Sequence, residues 1–186
     1  MTIELNEVLL SGDDEPLSLV AGEGCLTCIT GGSRERRSRW LLALMGFERA
    51  AAGYVSVDGE PLSGGCIAHL RQQLAYVPES LATVGTLVPY EPPTMADVLA
   101  LRANRRLGIS EADIEAECRR TGTDGQKAML LALAVLRRKA VLVVDSPEPA
   151  SASYLLRTAT EGGRTVIVAT GDDGIAGMAH SVARLA

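Results

Sequence analysis

Two polar stretches of this chain have the composition to meet an anion. The first, Gly31-Gly32-Ser33-Arg34-Glu35-Arg36-Arg37-Ser38, links the apolar run Cys25 to Thr30 to a helix-patterned segment carrying Trp40, Leu41, Leu44 and Met45. A strand, a glycine turn and a helix in that order bring backbone N–H groups and the positive end of a helix dipole to one point, where anions bind. Arg34, Arg36, Arg37 and Arg39 add charge. Their run reads either as an anion site at the helix start or as a solvated loop. The second stretch, Gly122-Thr123-Asp124-Gly125-Gln126, is a polar turn feeding the apolar helical run Gln126 to Leu136, which makes another helix N-terminus. One carboxylate is distinguished by its place: Asp145 follows Val141-Leu142-Val143-Val144, at the carboxyl end of an uninterrupted apolar strand.

The remaining reactive side chains carry less. Cys25 and Cys28 form a C-x-x-C. In an extended run, residues three apart point to opposite faces, so this pair reads as core packing rather than a metal or redox site. Cys66 and Cys118 have no partner in the sequence, and His69 and His180 stand alone, without a neighbouring carboxylate or nucleophile to enlist them.

The elements that must hold these residues follow from periodicity. Ile3 to Leu10 and Pro16 to Val20 flank the acidic turn Ser11-Gly12-Asp13-Asp14-Glu15, a predicted hairpin. Tyr54 to Val57 alternates and ends at Asp58-Gly59; a helical stretch from Ile67 then precedes the strand Leu74 to Val77. Ser80 to Pro93 reads as an irregular surface connection, followed by helices over Met95 to Arg106 and Glu111 to Arg120, the second capped by Ser110. Tyr154 to Thr160 is predicted as the last helix, ahead of the strand Val166 to Thr170 and the closing strand Ser181 to Leu185. Alternating strands and helices predict an α/β domain with a mostly parallel sheet and right-handed crossovers.

Composition narrows the partners. The 186 residues suit one domain, and an apolar fraction of 47% with only 3% aromatic means a core of Ala, Leu and Val, as in helices on a parallel sheet. A net charge of −5 has the wrong sign for gripping a phosphate backbone, so nucleic acid is excluded as the expected partner. No apolar run reaches the roughly 18 residues of a membrane-spanning helix, and Met1 to Asn6 lacks the pattern of a signal peptide. The expected location is the cytoplasm.

In order and spacing, the segments resemble the landmarks of the ATP-binding cassette of ABC transporters, over nearly the whole chain. Gly22-Glu23 resembles the dipeptide before the family's nucleotide loop, while Leu44 to Gly46 and Gly53 to Gly59 resemble the segments that follow it. Tyr76-Val77-Pro78 resembles the strand before the family's glutamine. Gly125-Gln126 with Ala132-Leu133-Ala134 looks like its signature and helix, and Val141 to Asp145 with Pro147 like its Walker B strand. The resemblance implies a P-loop NTPase-like α/β cassette with an N-terminal antiparallel β portion, a helical subdomain shortened to about residues 80–125, and no further domain. ATP and Mg²⁺ are the implied ligands, with Ser38 and Asp145 the metal-associated pair. Asp145 alternatively only caps neighbouring backbone.

The same alignment exposes departures. Where the family has G-x-x-G-x-G-K-[ST], two glycines and the lysine are replaced, Arg37 standing in the lysine's place. Arg34 and Arg36 are bulky where the backbone must wrap phosphate. Glu79 stands for the family's glutamine, Ser146 for its catalytic glutamate and Gly171 for its switch histidine. No catalytic residue is therefore assigned, and ATP and Mg²⁺ binding is expected to be weak or absent. The implied nucleotide contacts are Gly31, Gly32, Ser33, Arg34, Arg36, Arg37, Ser38 and Arg39, with Thr123, Gly125 and Gln126 offered to a partner's site. Asp124 opposes that donation by charge, and Ala152 stands where the family has another aspartate. The expectation is a pseudo-ATPase subunit that pairs with a second cassette or docks on a membrane permease through the region Glu79 to Pro93, at the inner face of the membrane. Slow hydrolysis by Arg37, Ser38 and Asp145, or a soluble anion-binding regulator, are the alternatives.

Overall fold

A computed structural model describes residues 1–79 and 137–186, together with Leu130, Ala134 and Val135. The expected helices at 95–106 and 111–120, the segments 80–93 and 122–126, and most of the helical run 126–136 lie outside the described residues. Two sheets sandwich one helix. The antiparallel sheet contains β1 (Ile3–Leu9), β2 (Leu17–Ala21), β4 (Ala52–Val57) and β5 (Glu60–Pro61), in the order β2-β1-β4-β5. The second sheet, β6-β7-β8-β3-β9, is built from β3 (Leu26–Gly31), β6 (Leu74–Val77), β7 (Val141–Asp145), β8 (Thr165–Ala169) and β9 (Ser181–Leu185). Every neighbouring pair in it is parallel.

The strands read as their burial requires. All residues of β7 and β8 are buried, because helices or the antiparallel layer cover both faces of a central parallel strand, whereas β9 at the edge alternates. Leu142, Val144, Val166 and Val168 face α3 (Ala152–Thr160) and α4 (Asp173–Met178), packing on Tyr154, Leu155 and Ile175. Val141, Val143, Ile167 and Ile29 face the other way, onto α1 (Arg34–Leu44) and the antiparallel sheet, with Leu70 of α2 (Gly64–Gln73) in the same cluster. Trp40, on α1, is wholly buried between the layers, which is where so large an apolar ring gains most.

The antiparallel sheet carries one irregularity that fixes a residue type. The pairing of β1 slips between Asn6 and Leu9, and Glu7 has φ +49°. Opposite it, Gly53 has φ +71°, and a Cβ there would lie 2.1 Å from the Glu7 carbonyl oxygen; only glycine lets the two strands close over this bulge. Two expectations are corrected. α3 is not the last helix, since Asp172 caps a further six-residue helix by accepting from Ile175 N–H at 2.8 Å. α2 begins at Gly64, ahead of the apolar Ile67 where periodicity becomes visible.

Candidate functional site

The carboxyl ends of β6, β7, β8 and β3 lie side by side. Val77 pairs with Val144, Asp145 with Ala169, and Ala169 with Ile29. This register gathers Glu79, Asp145, Gly171 and the Gly31 to Ser38 stretch at one edge, the place where open α/β sheets bind ligands. Gly31 and Gly32 adopt positive φ (+77° and +55°), and a Cβ on Gly31 would come within 2.3 Å of the Leu185 carbonyl oxygen. The chain turns sharply there into α1.

The basic run is helix from Arg34 onward, not loop. Residues three apart share a helix face, so the four arginines form two stripes. Arg34 and Arg37 face the strand ends. Arg34 forms an ion pair with Glu79, and Arg37 donates from Nη1 to the Gly31 and Gly32 carbonyls at 3.0 Å each. Arg36 and Arg39 face the β1–β2 turn. Arg36 Nε donates to Asp13 at 2.9 Å and its Nη1 to the Ala186 carbonyl; Arg39 donates to Glu48 and, at 2.9 Å, to the Ser11 carbonyl. Every guanidinium of the run thus has an acceptor on the chain itself.

The N-terminus of α1 is also met from within. Ser33 Oγ accepts from Arg36 N–H at 3.2 Å, the usual helix cap. The exposed Glu35 carboxyl is held below the ordinary carboxylate range, first by its own backbone N–H, then by the Ser33 hydroxyl, with Arg34 and Arg37 assisting. A carboxylate of the chain lies where an anion would be favoured by the helix dipole.

Ser38 and Asp145 are brought together. Ser38 Oγ donates to Asp145 Oδ2 at 2.6 Å, Ser146 Oγ to Oδ1 at 3.2 Å, and Tyr76 OH approaches Oδ2 at 3.4 Å. The Asp145 partners are therefore hydroxyls, not the backbone groups that capping would engage. Burial raises the Asp145 pKa against these hydrogen bonds, and Glu79 adds to the rise. Ser146 sits at φ +49° with its N–H donating to the Ala169 carbonyl, a turn that points its side chain back at Asp145. Behind the loop, burial pushes the Cys28 thiol up to about 11 despite the nearby Arg37 guanidinium, which leaves it a protonated, unreactive core residue. Cys25 and Cys28 are free thiols.

Of the sequence-derived candidates, Gly31, Gly32, Ser33, Arg34, Arg37, Ser38, Glu79, Asp145, Ser146 and Gly171 share this edge, and Arg36 and Arg39 face away from it; Thr123, Gly125 and Gln126 lie outside the described residues. Glu35, Tyr76, Asp13 and Glu48 were not singled out in the sequence. For Glu35 a signal existed, a Ser33 cap followed by an acid in the first helical turn.

No family model matches the sequence, and no curated protein matches it. Solved structures do. CbiO1 from Clostridium perfringens, part of the ABC transporter complex CbiONQ, superposes with a TM-score of 0.70 at 17% identity, covering 98% of this chain and 84% of that one. This chain has the ABC-cassette fold. The bacterial ABC transporter cassette MJ0796, in a dimeric structure, gives a TM-score of 0.68 at 17% identity over 98% of this chain and 94% of that one. An ATP-binding subunit of an ABC transporter gives 0.68 at 19% identity over 100% and 86%. Among the described residues, no helix is long and apolar enough to cross a membrane.

Proposed function

We propose that the chain is a non-hydrolysing ABC-cassette subunit, which keeps the shape of an ATP-binding cassette and works by pairing with an active cassette or a membrane permease. The observation that carries this reading is what surrounds Asp145. The next residue is Ser146, its hydroxyl turned onto Asp145 at 3.2 Å, where a carboxylate would be needed to activate water. Among the described residues, Glu79 is engaged with Arg34, Glu35 at the start of α1 and Asp172 on α4, while Glu148 makes no cap hydrogen bond in the turn that follows Ser146. Absence of one positioned base costs on the order of 10²–10⁴ in rate.

The residues fit the two implied ligands unequally. Ser38 and Asp145 offer hard oxygens 2.6 Å apart, the kind of pair that holds a hydrated Mg²⁺. The phosphate side fits poorly, since Arg37 binds the Gly31 and Gly32 carbonyls and Glu35 holds the helix start. That Ser38–Asp145 contact favours a second reading, weak metal-dependent ATP binding or turnover by Arg37, Ser38 and Asp145; calorimetric titration with Mg-ATP separates the two. CbiO1 belongs to a transporter complex and MJ0796 was seen as a dimer, which supports the kind of partner proposed. Affinity purification of the tagged chain from its own membranes, with cross-linking, tests it: a second cassette or a permease is expected, and recovery with neither contradicts the reading.

A further inference from the structure

We propose that the Arg37 guanidinium is a built-in plug of the cleft between the Gly31–Ser33 loop and the end of β8, holding that loop in shape without any ligand. The proposal rests on the cassette reading above only for the class of ligand shut out, a polyphosphate. On one side Nη1 bridges the Gly31 and Gly32 carbonyls at 3.0 Å each, so an incoming anion would have to displace the guanidinium and would then face two carbonyl oxygens. Nε is buried without a partner, so the inner end of the group sits in the cleft, while the residue as a whole is half-buried and its contact with the Gly32 carbonyl lies at the solvent edge. On the other side the seat is Gly171. Its φ is not in the left-handed region, so the backbone there does not demand glycine. The guanidinium lies against it: a Cβ would stand 3.3 Å from Arg37 Nη2 and 3.7 Å from both Cζ and Nη1, so a side chain there would press on the group. A planar three-nitrogen cation fills this width, whereas an ammonium on the same charge would not.

Two measurements test the plug. In calorimetric titration with Mg²⁺ and inorganic tripolyphosphate, Arg37→Lys is expected to bind at least about tenfold more tightly than the wild type, since it keeps the charge and clears the space. In the unaltered protein, the Arg37 Nε–H signal in an arginine ¹⁵N spectrum is expected to exchange slowly with water and to stay unchanged when the probe is added. Wild-type binding equal to that of Arg37→Lys, or exchange at the rate of free arginine, overturns the plug; the second result stands even if the variant does not fold. Neither outcome bears on hydrolysis, so the proposal fails separately from the reading on which it rests.

Discussion

Replacing Asp145 by asparagine should stabilise the protein at neutral pH, by an amount that follows from the carboxylate's surroundings. Asp145 is only 2% exposed, and of its three hydroxyl contacts just one, Ser38 at 2.6 Å, is short; Ser146 lies at 3.2 Å and Tyr76 at 3.4 Å. Desolvation outweighs them and raises the pKa. For an acid whose folded pKa is raised, stability is greatest below the unfolded value of about 4, falls as pH climbs through the folded value, and is level above it. Asparagine keeps the shape and cannot ionise, and the surrounding hydroxyls can rotate to accept from its amide. An unpaired buried carboxylate costs several kcal/mol, of which one good charged hydrogen bond returns about 1.5–3 and two long ones little, so the net gain for Asp145→Asn is roughly 1–2 kcal/mol at pH 7–8. The gain should shrink to nothing near pH 4. Urea unfolding of both proteins between pH 4 and 8, in chelator to remove metal, measures it. A variant less stable than wild type at pH 7, or one with an unchanged pH slope, would refute the reasoning.

Three further substitutions probe the scaffold. Ser33→Ala should cost about 1 kcal/mol by removing the cap of α1, read as a lowered urea midpoint with unchanged slope. Gly53→Ala forces a Cβ to 2.1 Å from the Glu7 carbonyl at φ +71°; a loss of at least about 2 kcal/mol is expected in the same assay, and a neutral result would mean the bulge can relax. Arg164 is a buried cation, 7% exposed, that donates to the Val135 and Gly162 carbonyls at 3.1 and 3.3 Å. Val135 O also receives Arg138 N–H, so losing the guanidinium does not leave that carbonyl unpaired. Arg164→Met should lie within about 1 kcal/mol of wild type and Arg164→Ala about 2–4 below it; equal losses would assign the role to the charge.

Much of the scaffold could be read from the chain because it is written in local pattern. Leu74–Val77 and Ser181–Leu185 are strands over the residues expected, and Trp40 packs in the core as its apolar helix face implies. α4 was missed because six residues carry too little periodicity, though Asp172 was a cap in plain view. The Ser38–Asp145 pair was anticipated from the cassette resemblance, but the fate of the arginines was not. The acidic partners of Arg36, Arg39 and Arg34 come from three segments outside α1, Asp13 in the β1–β2 turn, Glu48 after α1 and Glu79 after β6, whereas Arg37 turns back on the Gly31 and Gly32 carbonyls. Local sequence reports a run of charge; only the folded sheet decides whether it meets solvent, a ligand or the chain's own acids. The spacing of three between Arg34 and Arg37, and between Arg36 and Arg39, was the available hint that two faces were involved.

The most direct test is a single-turnover assay, with the purified protein in excess over labelled ATP and Mg²⁺, so that even one cleavage per molecule registers. A non-hydrolysing cassette predicts phosphate release no faster than in buffer, for wild type and Asp145→Asn alike. Release above background that Asp145→Asn abolishes would contradict it.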